Sequence, residues 1–238
     1  MVRLFVGVML VLSGGCGRLS FSEAPDAGGG DAAPPGAPAP IHRYRLADSF
    51  ADEAGGPDLM GLGGVFHPRL GYKFAANQGL KLVGGMPAGA YTVDIRFELQ
   101  EIGECNPNGG HFCKLLDFKA LGMDEGLYAL DEKLHFVILA VAAPNTVFFE
   151  STPVFRSGTQ ATVTLTRDAN KYTVAYVNRD PKFSFVDSTD MATFSSTGQA
   201  AYFAIDDQAT TPREASSGSI REIAIWDVAL TPAQISAL

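Results

Sequence analysis

Residues 202–238, YFAIDDQATTPREASSGSIREIAIWDVALTPAQISAL, decide the fold class of this chain. Within this stretch, residues 220–228 predict a strand. Its alternate side chains, such as Ile223 on one side and Trp226 on the other, point to opposite faces. Because both faces are apolar, we expect a central strand that is covered on both sides.

The end of the chain predicts a short helix after this strand. Thr231 is expected to be the N-cap, Pro232 the first helical residue, and Gln234 the partner that completes a capping box. Ile235 and Leu238 are then expected to pack back on the sheet.

An acidic loop precedes the closing strand and contains the carboxylates of Asp206, Asp207 and Glu214. Carboxylates that are brought together repel one another unless a cation or an arginine neutralises them. One interpretation is a salt-bridge network with Arg213 and Arg221. The other is a metal site for Ca²⁺, which takes 6–8 oxygen ligands. Ca²⁺ is therefore the cofactor that this loop suggests.

The rest of the chain also predicts an all-β fold. The 238 residues include 16 Phe and 7 Tyr, which favour sheet. A β-sandwich of about 200 residues forms a single domain. We find about a dozen short alternating segments separated by polar turns, no helical periodicity before the C-terminal helix, and no tandem repeat. The expected fold is an antiparallel β-sandwich or jelly roll with a short C-terminal helix.

The clearest predicted strand is 91–99, in which apolar and polar residues alternate, as in an antiparallel sheet with one wet face. Residues 160–167 and 171–178 predict a hairpin. Other strands are expected at 42–47, 65–66, 72–74, 79–83, 112–119, 126–130, 133–141, 183–186 and 200–205.

The net charge of −8 and the pI near 4.9 argue against nucleic acid as a partner. Binding a phosphate backbone requires a basic surface, which this composition does not supply.

The N-terminal segment predicts export. Arg3 precedes an apolar run of about nine residues, which is too short to cross a bilayer that needs ~20. The run ends in Ser13-Gly14-Gly15-Cys16, which resembles a bacterial lipobox, although Ser13 stands where that family usually has Leu. The resemblance implies a lipid on Cys16. The alternative is an ordinary signal peptide with an incidental cysteine.

Residues 17–40 are rich in Gly, Ala and Pro, and predict a tether without a core. The expected organisation is a signal peptide (1–15), a lipidated Cys16 with its tether (16–40), and a folded domain (41–238). The chain would contact the membrane only through the lipid, on the bacterial cell envelope. The outer membrane is favoured over the inner one, because Gly17 replaces the Asp that retains some lipoproteins in the inner membrane.

Cys105 and Cys113 predict a disulfide at a hairpin tip, because an exported chain meets an oxidising compartment. Closing so short a loop contributes ~2–3 kcal/mol in the chain-entropy model. A metal site of Cys105, His111 and Cys113 is the alternative.

Short phrases spread over about residues 44–238 resemble a bacterial branch of LamG-like domains, which are jelly rolls of the concanavalin A-like lectin/glucanase type. They are Phe50-Ala51-Asp52 with Gly55-Gly56, Leu62-Gly63-Gly64, Tyr72-Lys73-Phe74, Asn77-Gln78-Gly79-Leu80, Leu116-Asp117-Phe118-Lys119, Asp124-Glu125-Gly126-Leu127-Tyr128, Leu165-Thr166-Arg167-Asp168, Phe185-Val186-Asp187-Ser188, Asp206-Asp207 and Arg213-Glu214-Ala215-Ser216. The strand and capped helix at the end of the chain resemble the family's C-terminal signature. The resemblance implies the fold and a rim loop that often holds Ca²⁺, whereas the family's activities are diverse.

No catalytic residue is predicted. Glucanases of this type carry a Glu-x-Asp-x-x-Glu pattern that sets two carboxyl groups ~5.5 Å or ~6.5–9.5 Å apart. This chain lacks that pattern. The nearest pair, Asp94 and Glu98, would lie about 13 Å apart in a strand. Arg96 between them is expected to pair with both carboxylates in a solvated ladder.

The function expected from these observations is a non-catalytic binding module for a glycan or a surface protein, on an envelope lipoprotein. A structural envelope protein without a small ligand is an alternative. A glycan-active hydrolase is disfavoured by the missing carboxylate pattern. Trp226, the only tryptophan, is either a core residue or a sugar platform, and its apolar neighbours favour the core. His135 is expected on a surface face or hydrogen-bonded in the core.

Overall fold

The computed structural model describes residues 36–100, 112–138, 146–194, 200–206 and 214–238. The elements in these ranges are β1 (His42–Arg45), β2 (Met60–Gly61), β3 (Val65–His67), β4 (Gly71–Phe74), β5 (Leu80–Val83), β6 (Tyr91–Leu99), β7 (Phe112–Asp117), β8 (Gly126–Leu130), β9 (Lys133–Ile138), β10 (Thr146–Phe149), β11 (Ala161–Arg167), β12 (Tyr172–Val177), β13 (Asp180–Val186), β14 (Ala200–Phe203), β15 (Gly218–Trp226) and α1 (Pro232–Ser236).

The strands form two antiparallel sheets. The eight-stranded sheet has the order β13-β12-β11-β6-β15-β4-β3, and β1 also pairs with β15. The seven-stranded sheet has the order β10-β9-β8-β7-β14-β5-β2. This arrangement confirms the predicted all-β antiparallel sandwich with a short helical turn at its end.

The main core lies between the two sheets, where each strand contributes alternate side chains. Large aromatic rings fill it, and Tyr91, Phe118 and Phe136 are fully buried. The rings pack across the two sheets, with centroids 5.0 Å apart for Phe136 of β9 and Phe185 of β13. Burying each such side chain contributes ~1.5–3 kcal/mol, so this layer is the main source of stability.

The closing strand β15 is central and covered on both faces, as the sequence predicts. It pairs with β1, β4 and β6. Ile223 and Ile225 face the main core, whereas Ala224 and Trp226 face a second, smaller cluster on the outer side of the eight-stranded sheet. That cluster contains Tyr176, Ala224, Trp226, Leu230 and Ile235.

Helix α1 has the predicted capping box. The Thr231 Oγ1 atom accepts from the Gln234 backbone N–H at 3.3 Å, and Gln234 Oε1 accepts from the Thr231 N–H at 2.9 Å. Ile235 is fully buried against the outer cluster, as expected. Leu238 instead remains 39% exposed.

The outer face of β6 is drier than its alternation predicts, because Thr92 is fully buried and Asp94 is 8% exposed. The Thr92 hydroxyl donates to the Val228 carbonyl at 2.8 Å and accepts from the Leu230 N–H at 2.9 Å. The C-terminal segment therefore crosses back over this half of the strand, which alternation within β6 alone does not reveal.

Two short strands were not predicted. Neither β2 nor β10 is among the strands that the sequence predicts. Both are edge strands of the seven-stranded sheet. β13 also begins earlier than expected, because β12 turns into it at Asn178-Arg179, where φ is 49° and 75°. The predicted strand residues 139–141 lie outside the described residues.

Candidate functional site

A cavity of about 450 Å³ opens on the outer face of the eight-stranded sheet, beside the second cluster. We call it the outer-face cavity. Its floor carries charged side chains, one wall is apolar, and a short N-terminal strip forms the other. The charged residues are Arg43, Asp94, Arg96, Arg179 and Glu222, the apolar wall includes Ala224, Trp226 and Leu238, and the strip is Ala37-Pro38-Ala39-Pro40.

Arg179 reaches the floor of the cavity from the β12–β13 turn. Its φ of 75° lies in the left-handed region, which costs ~1–2 kcal/mol for a residue with a Cβ, and two-residue hairpin turns favour glycine there. The guanidinium donates to both carboxylate oxygens of Asp94, with Nη2 3.3 Å from Oδ2. Asp94 also accepts from the Thr164 hydroxyl at 2.6 Å.

Arg96 does not pair with Asp94 or Glu98, so the predicted ladder is wrong. Its ion-pair partner is Glu222 on the adjacent strand β15, which lies opposite Arg96 in the sheet register. The physical reason is spacing. Neighbouring strands lie ~4.8 Å apart, whereas same-face residues along one strand are two rises of ~3.3 Å apart.

Glu222 is shared unequally between two arginines. The Nε and Nη2 atoms of Arg43 lie 2.8 and 2.7 Å from Glu222 Oε1. The Arg96 Nη1 atom is 3.7 Å from Glu222 Oε2, too far for a hydrogen bond. The Arg96 side chain is 41% exposed and has no hydrogen-bond acceptor among the residues that the structure describes. Arg96 therefore presents N–H donors to the cavity.

The floor of the outer-face cavity is rich in guanidinium groups, although the protein as a whole is acidic. The floor holds three guanidinium groups against two carboxylates, while the whole chain carries a net charge of −8. Each carboxylate already accepts hydrogen bonds from an arginine, so an incoming ligand meets a surplus of donors.

Trp226 is 4% exposed, which agrees with the core interpretation. Its indole N–H donates to the Pro38 carbonyl at 2.8 Å, and the Ile41 N–H donates to the Ile225 carbonyl at 2.8 Å. The last residues of the predicted tether thus lie on the sheet and border the cavity. The boundary at residue 41 stays a prediction.

A second cavity, of about 540 Å³, is lined in part by Arg167. Here every guanidinium nitrogen has a partner. Nε lies 2.9 Å from Asp187 Oδ2, Nη2 lies 2.6 Å from Asp190 Oδ1, and Nη1 lies 3.3 Å from the Gly89 carbonyl. Hydrogen bonding to Lys171 is the main reason that the pKa of Asp190 is lowered. This cluster ties loops together, and each guanidinium nitrogen of Arg167 is engaged within the fold.

The predicted metal residues are only partly visible. Asp206 and Glu214 are buried and adjacent, because the Glu214 N–H donates to Asp206 Oδ2 at 3.1 Å. Asp207 and Arg213 lie outside the described residues. Within the described ranges, Arg221 forms no ion pair with Asp206 or Glu214. Those ranges also contain no group of three or more His, Cys, Asp or Glu arranged for a metal. Ca²⁺ and the salt-bridge network both stay predictions.

The other predicted modification residues are not tested. Cys16, Cys105 and His111 lie outside the described residues, and Cys113 is fully buried in β7. The lipid anchor and the Cys105–Cys113 disulfide therefore stay predictions. No helix in the described part of the chain combines the length and apolarity needed to cross a membrane.

Two buried histidines, His42 and His135, have surroundings that the sequence patterns did not predict. His42 Nδ1 lies 2.6 Å from Asp52 Oδ2, and its Nε2 lies 3.0 Å from the Gly85 carbonyl. His135 is buried on the outward side of β9, where its ring stacks 5.3 Å from Phe149. Neither ring nitrogen of His135 has a hydrogen-bond partner among the residues that the structure describes, and burial lowers its pKa. Of the two settings expected for His135, the outward face is the one observed, and the hydrogen bonds expected of a core histidine are found at His42 instead.

Asp52, which belongs to the family-like phrase Phe50-Ala51-Asp52 with Gly55-Gly56, has a structural role. It accepts hydrogen bonds from the N–H groups of Arg43, Ala54 and Gly56 as well as from His42. Burial raises its pKa, but these hydrogen bonds outweigh burial and leave the pKa below its ordinary value. A Cβ at Gly56 would lie 2.5 Å from the Asp52 carboxylate, so the phrase builds a turn around this group.

No protein-family model and no curated protein sequence matches this chain. Solved structures do match its fold. The botulinum neurotoxin serotype D binding domain has a TM-score of 0.61 at 12% identity, over 83% of this chain and 50% of that one. The same values hold for that serotype D domain in complex with N-acetylneuraminic acid.

A further match is domain 4 of AbnA, a GH43 extracellular arabinanase from Geobacillus stearothermophilus, in complex with arabinotriose. Its TM-score is 0.56 at 17% identity, over 83% of this chain and 97% of that domain. The chain spans about half the length of the neurotoxin domains and nearly all of the arabinanase domain. At these identities the likeness shows a shared fold, an antiparallel two-sheet sandwich.

Proposed function

We propose that the sandwich is a non-catalytic glycan-binding module and that the outer-face cavity is its binding site. The observation that carries the proposal is the lining of that cavity. Arginine donors and carboxylate acceptors suit the hydroxyl groups of a sugar, and an apolar wall that includes Ala224 and Leu238 suits its C–H surface. Ligand sites combine such apolar surface with a few convergent polar groups.

The fold comparison supports the same proposal. The arabinanase domain, which this chain spans almost completely, is a domain of similar fold seen with a bound oligosaccharide. The neurotoxin domain seen with a sialic acid is about twice as long as the matched region, so its ligand supports the proposal less directly.

The carboxylates of the cavity favour binding over hydrolysis. A glycosidase requires one protonated carboxyl group as its general acid. Asp94 accepts hydrogen bonds from Arg179 and Thr164, and Glu222 accepts from Arg43. Both groups are therefore arranged as acceptors, and neither is placed to donate a proton to a leaving group.

We further propose that this module is displayed on the bacterial envelope through a lipid on Cys16. The short apolar run, the lipobox-like phrase and the Gly/Pro-rich residues that follow support this location. Cys16→Ser should move the protein from the membrane fraction to the soluble fraction. A wild-type protein that is already soluble, and that takes up no labelled fatty acid, would contradict the anchor.

The binding proposal is tested by screening the purified protein on a glycan array. We expect retention of a subset of glycans and no release of reducing sugar from them over prolonged incubation. Failure to retain any glycan would favour the structural envelope protein or a protein partner. Release of reducing ends would favour the hydrolase.

A further inference from the structure

We infer that the outer-face cavity recognises a glycan that carries a carboxylate, such as a uronic acid unit. The inference rests on the proposed glycan-binding function and names the ligand class of the same site. It starts from the charge of the floor, where three guanidinium groups face two carboxylates. A carboxylate on the ligand would neutralise the guanidinium of this floor that is least engaged, Arg96.

Arg96 is the residue that indicates which chemical group of the ligand would bind. Arg43 and Arg179 each direct two nitrogens at a carboxylate, whereas Arg96 has only one ion pair, at 3.7 Å, and no hydrogen bond to any described residue. A guanidinium has five N–H donors in a planar fork. That fork matches a planar carboxylate, with which it forms two parallel hydrogen bonds.

The surroundings hold Arg96 in place for such a ligand. Arg96 lies on β6, opposite Glu222 of β15, in the middle of the eight-stranded sheet. Its backbone is therefore held by strands on both sides, so that only the side chain of Arg96 becomes ordered when a ligand binds. Glu222 is engaged by Arg43 at 2.7 Å, so it does not compete strongly for Arg96.

The Arg179 turn supports a binding role for the same floor. A left-handed arginine costs stability at a turn position where glycine is favoured. The same conformation occurs at other turns, such as Asp131-Glu132, so this turn bears on the site through the position that it gives Arg179. The turn directs the Arg179 guanidinium towards Asp94, and the resulting ion pair lies at the edge of the cavity floor, beside Arg96.

The test is calorimetric titration of the purified protein with trigalacturonic acid and with its fully methyl-esterified form. The two ligands share a ring system and differ in charge, so their ratio isolates the carboxylate. We expect the acid to bind at least about tenfold more tightly, in line with one charge-assisted hydrogen-bonded pair. Binding of the acid should also weaken as salt is raised.

Arg96→Gln should remove that preference and leave the thermal melting temperature close to wild type. Arg45→Gln is the matched control, because Arg45 lies on β1, which pairs with β15, is 60% exposed, and is not part of the cavity lining. It should leave both affinities unchanged. Equal loss in the two variants would indicate a general surface charge effect and would overturn the assignment.

The remaining outcomes separate the two proposals. If the methyl ester binds as well as the acid, the cavity takes a neutral glycan, so the carboxylate inference fails and glycan binding stands. If a sulfated oligosaccharide binds more tightly than the acid, the carboxylate inference also fails. If neither ligand binds and the array retains nothing, the glycan-binding function itself fails.

Discussion

Two arginine clusters in this protein use the same chemical group in opposite ways. The Arg167 side chain is 4% exposed, and all of its nitrogens are paired, with Asp187, Asp190 and the Gly89 carbonyl. The Arg96 side chain is 41% exposed and has a single long ion pair. Both arginines line cavities of similar size. The difference indicates that unpaired donors, rather than the presence of a cavity, distinguish a candidate binding site from a structural one.

The comparison also separates stability from recognition. Arg167 connects β11 to loops that precede β6 and follow β13, so its removal should loosen the fold. Arg96 lies on a strand that its neighbours already hold, so its removal should affect mainly what the surface can bind.

Arg167→Met should lower the free energy of unfolding by about 3–5 kcal/mol, because it leaves the buried Asp187 carboxylate without its charged partner. Urea denaturation of the variant and the wild type measures this change. Arg96→Gln serves as the matched comparison and should change stability by less than about 0.5 kcal/mol. Similar losses in both variants would remove the distinction between the clusters.

Asp52→Asn should lower the free energy of unfolding by about 1–3 kcal/mol at neutral pH, since the amide cannot accept all the hydrogen bonds that reach the carboxylate. Both oxygens of the Asp52 carboxylate accept hydrogen bonds within the fold, so Asp52 belongs with Arg167 among the structural groups. Equilibrium denaturation at pH 7 measures the loss, and a change within error of zero would contradict it.

The same carboxylate should also contribute to acid sensitivity. Its folded-state pKa is lower than its ordinary value of 3.8, so its stabilising effect is complete above that value. The effect should be lost as the pH falls through the ordinary value and towards the folded-state pKa. Melting temperatures recorded from pH 6 to pH 2 should therefore fall less steeply for Asp52→Asn than for wild type. Parallel curves would contradict the assignment.

Arg179→Gly should change stability by no more than about 1 kcal/mol, because relief of the left-handed backbone opposes the loss of the Asp94 pair. It should nevertheless weaken glycan binding, since Arg179 lines the outer-face cavity. Denaturation and titration of the same preparation give both values. A stability loss of about 3 kcal/mol or more would place Arg179 with the structural cluster.

Local patterns in the sequence predicted much of the fold. The bounds of β6 and β8 agree with the predicted strands, and the capping box of α1 depends only on Thr231 and Gln234, three residues apart. Alternation also placed Asp94 and Arg96 on one face of β6. These features follow from the geometry of a single element, so a short window of sequence contains them.

The site required information that such windows lack. Arg179 and Asp94 are 85 positions apart and meet only because β11 and β12 lie between β6 and β13. Arg96 faces Glu222 because β15 lies beside β6. The edge strands β2 and β10 are too short to show a period. The order of the strands in the sheet therefore determined which charged side chains form ion pairs. The partners predicted for Arg96 were wrong because a short window of sequence does not contain that order.

The most direct test of the account is the affinity of the protein for trigalacturonic acid before and after Arg96→Gln. Trp226 is the only tryptophan and lines the cavity, so its fluorescence reports binding without a label. The account predicts that the variant keeps the wild-type melting temperature and binds the acid at least about tenfold more weakly. Unchanged affinity in a folded variant would contradict the assignment of the outer-face cavity as a site for a carboxylate-bearing glycan.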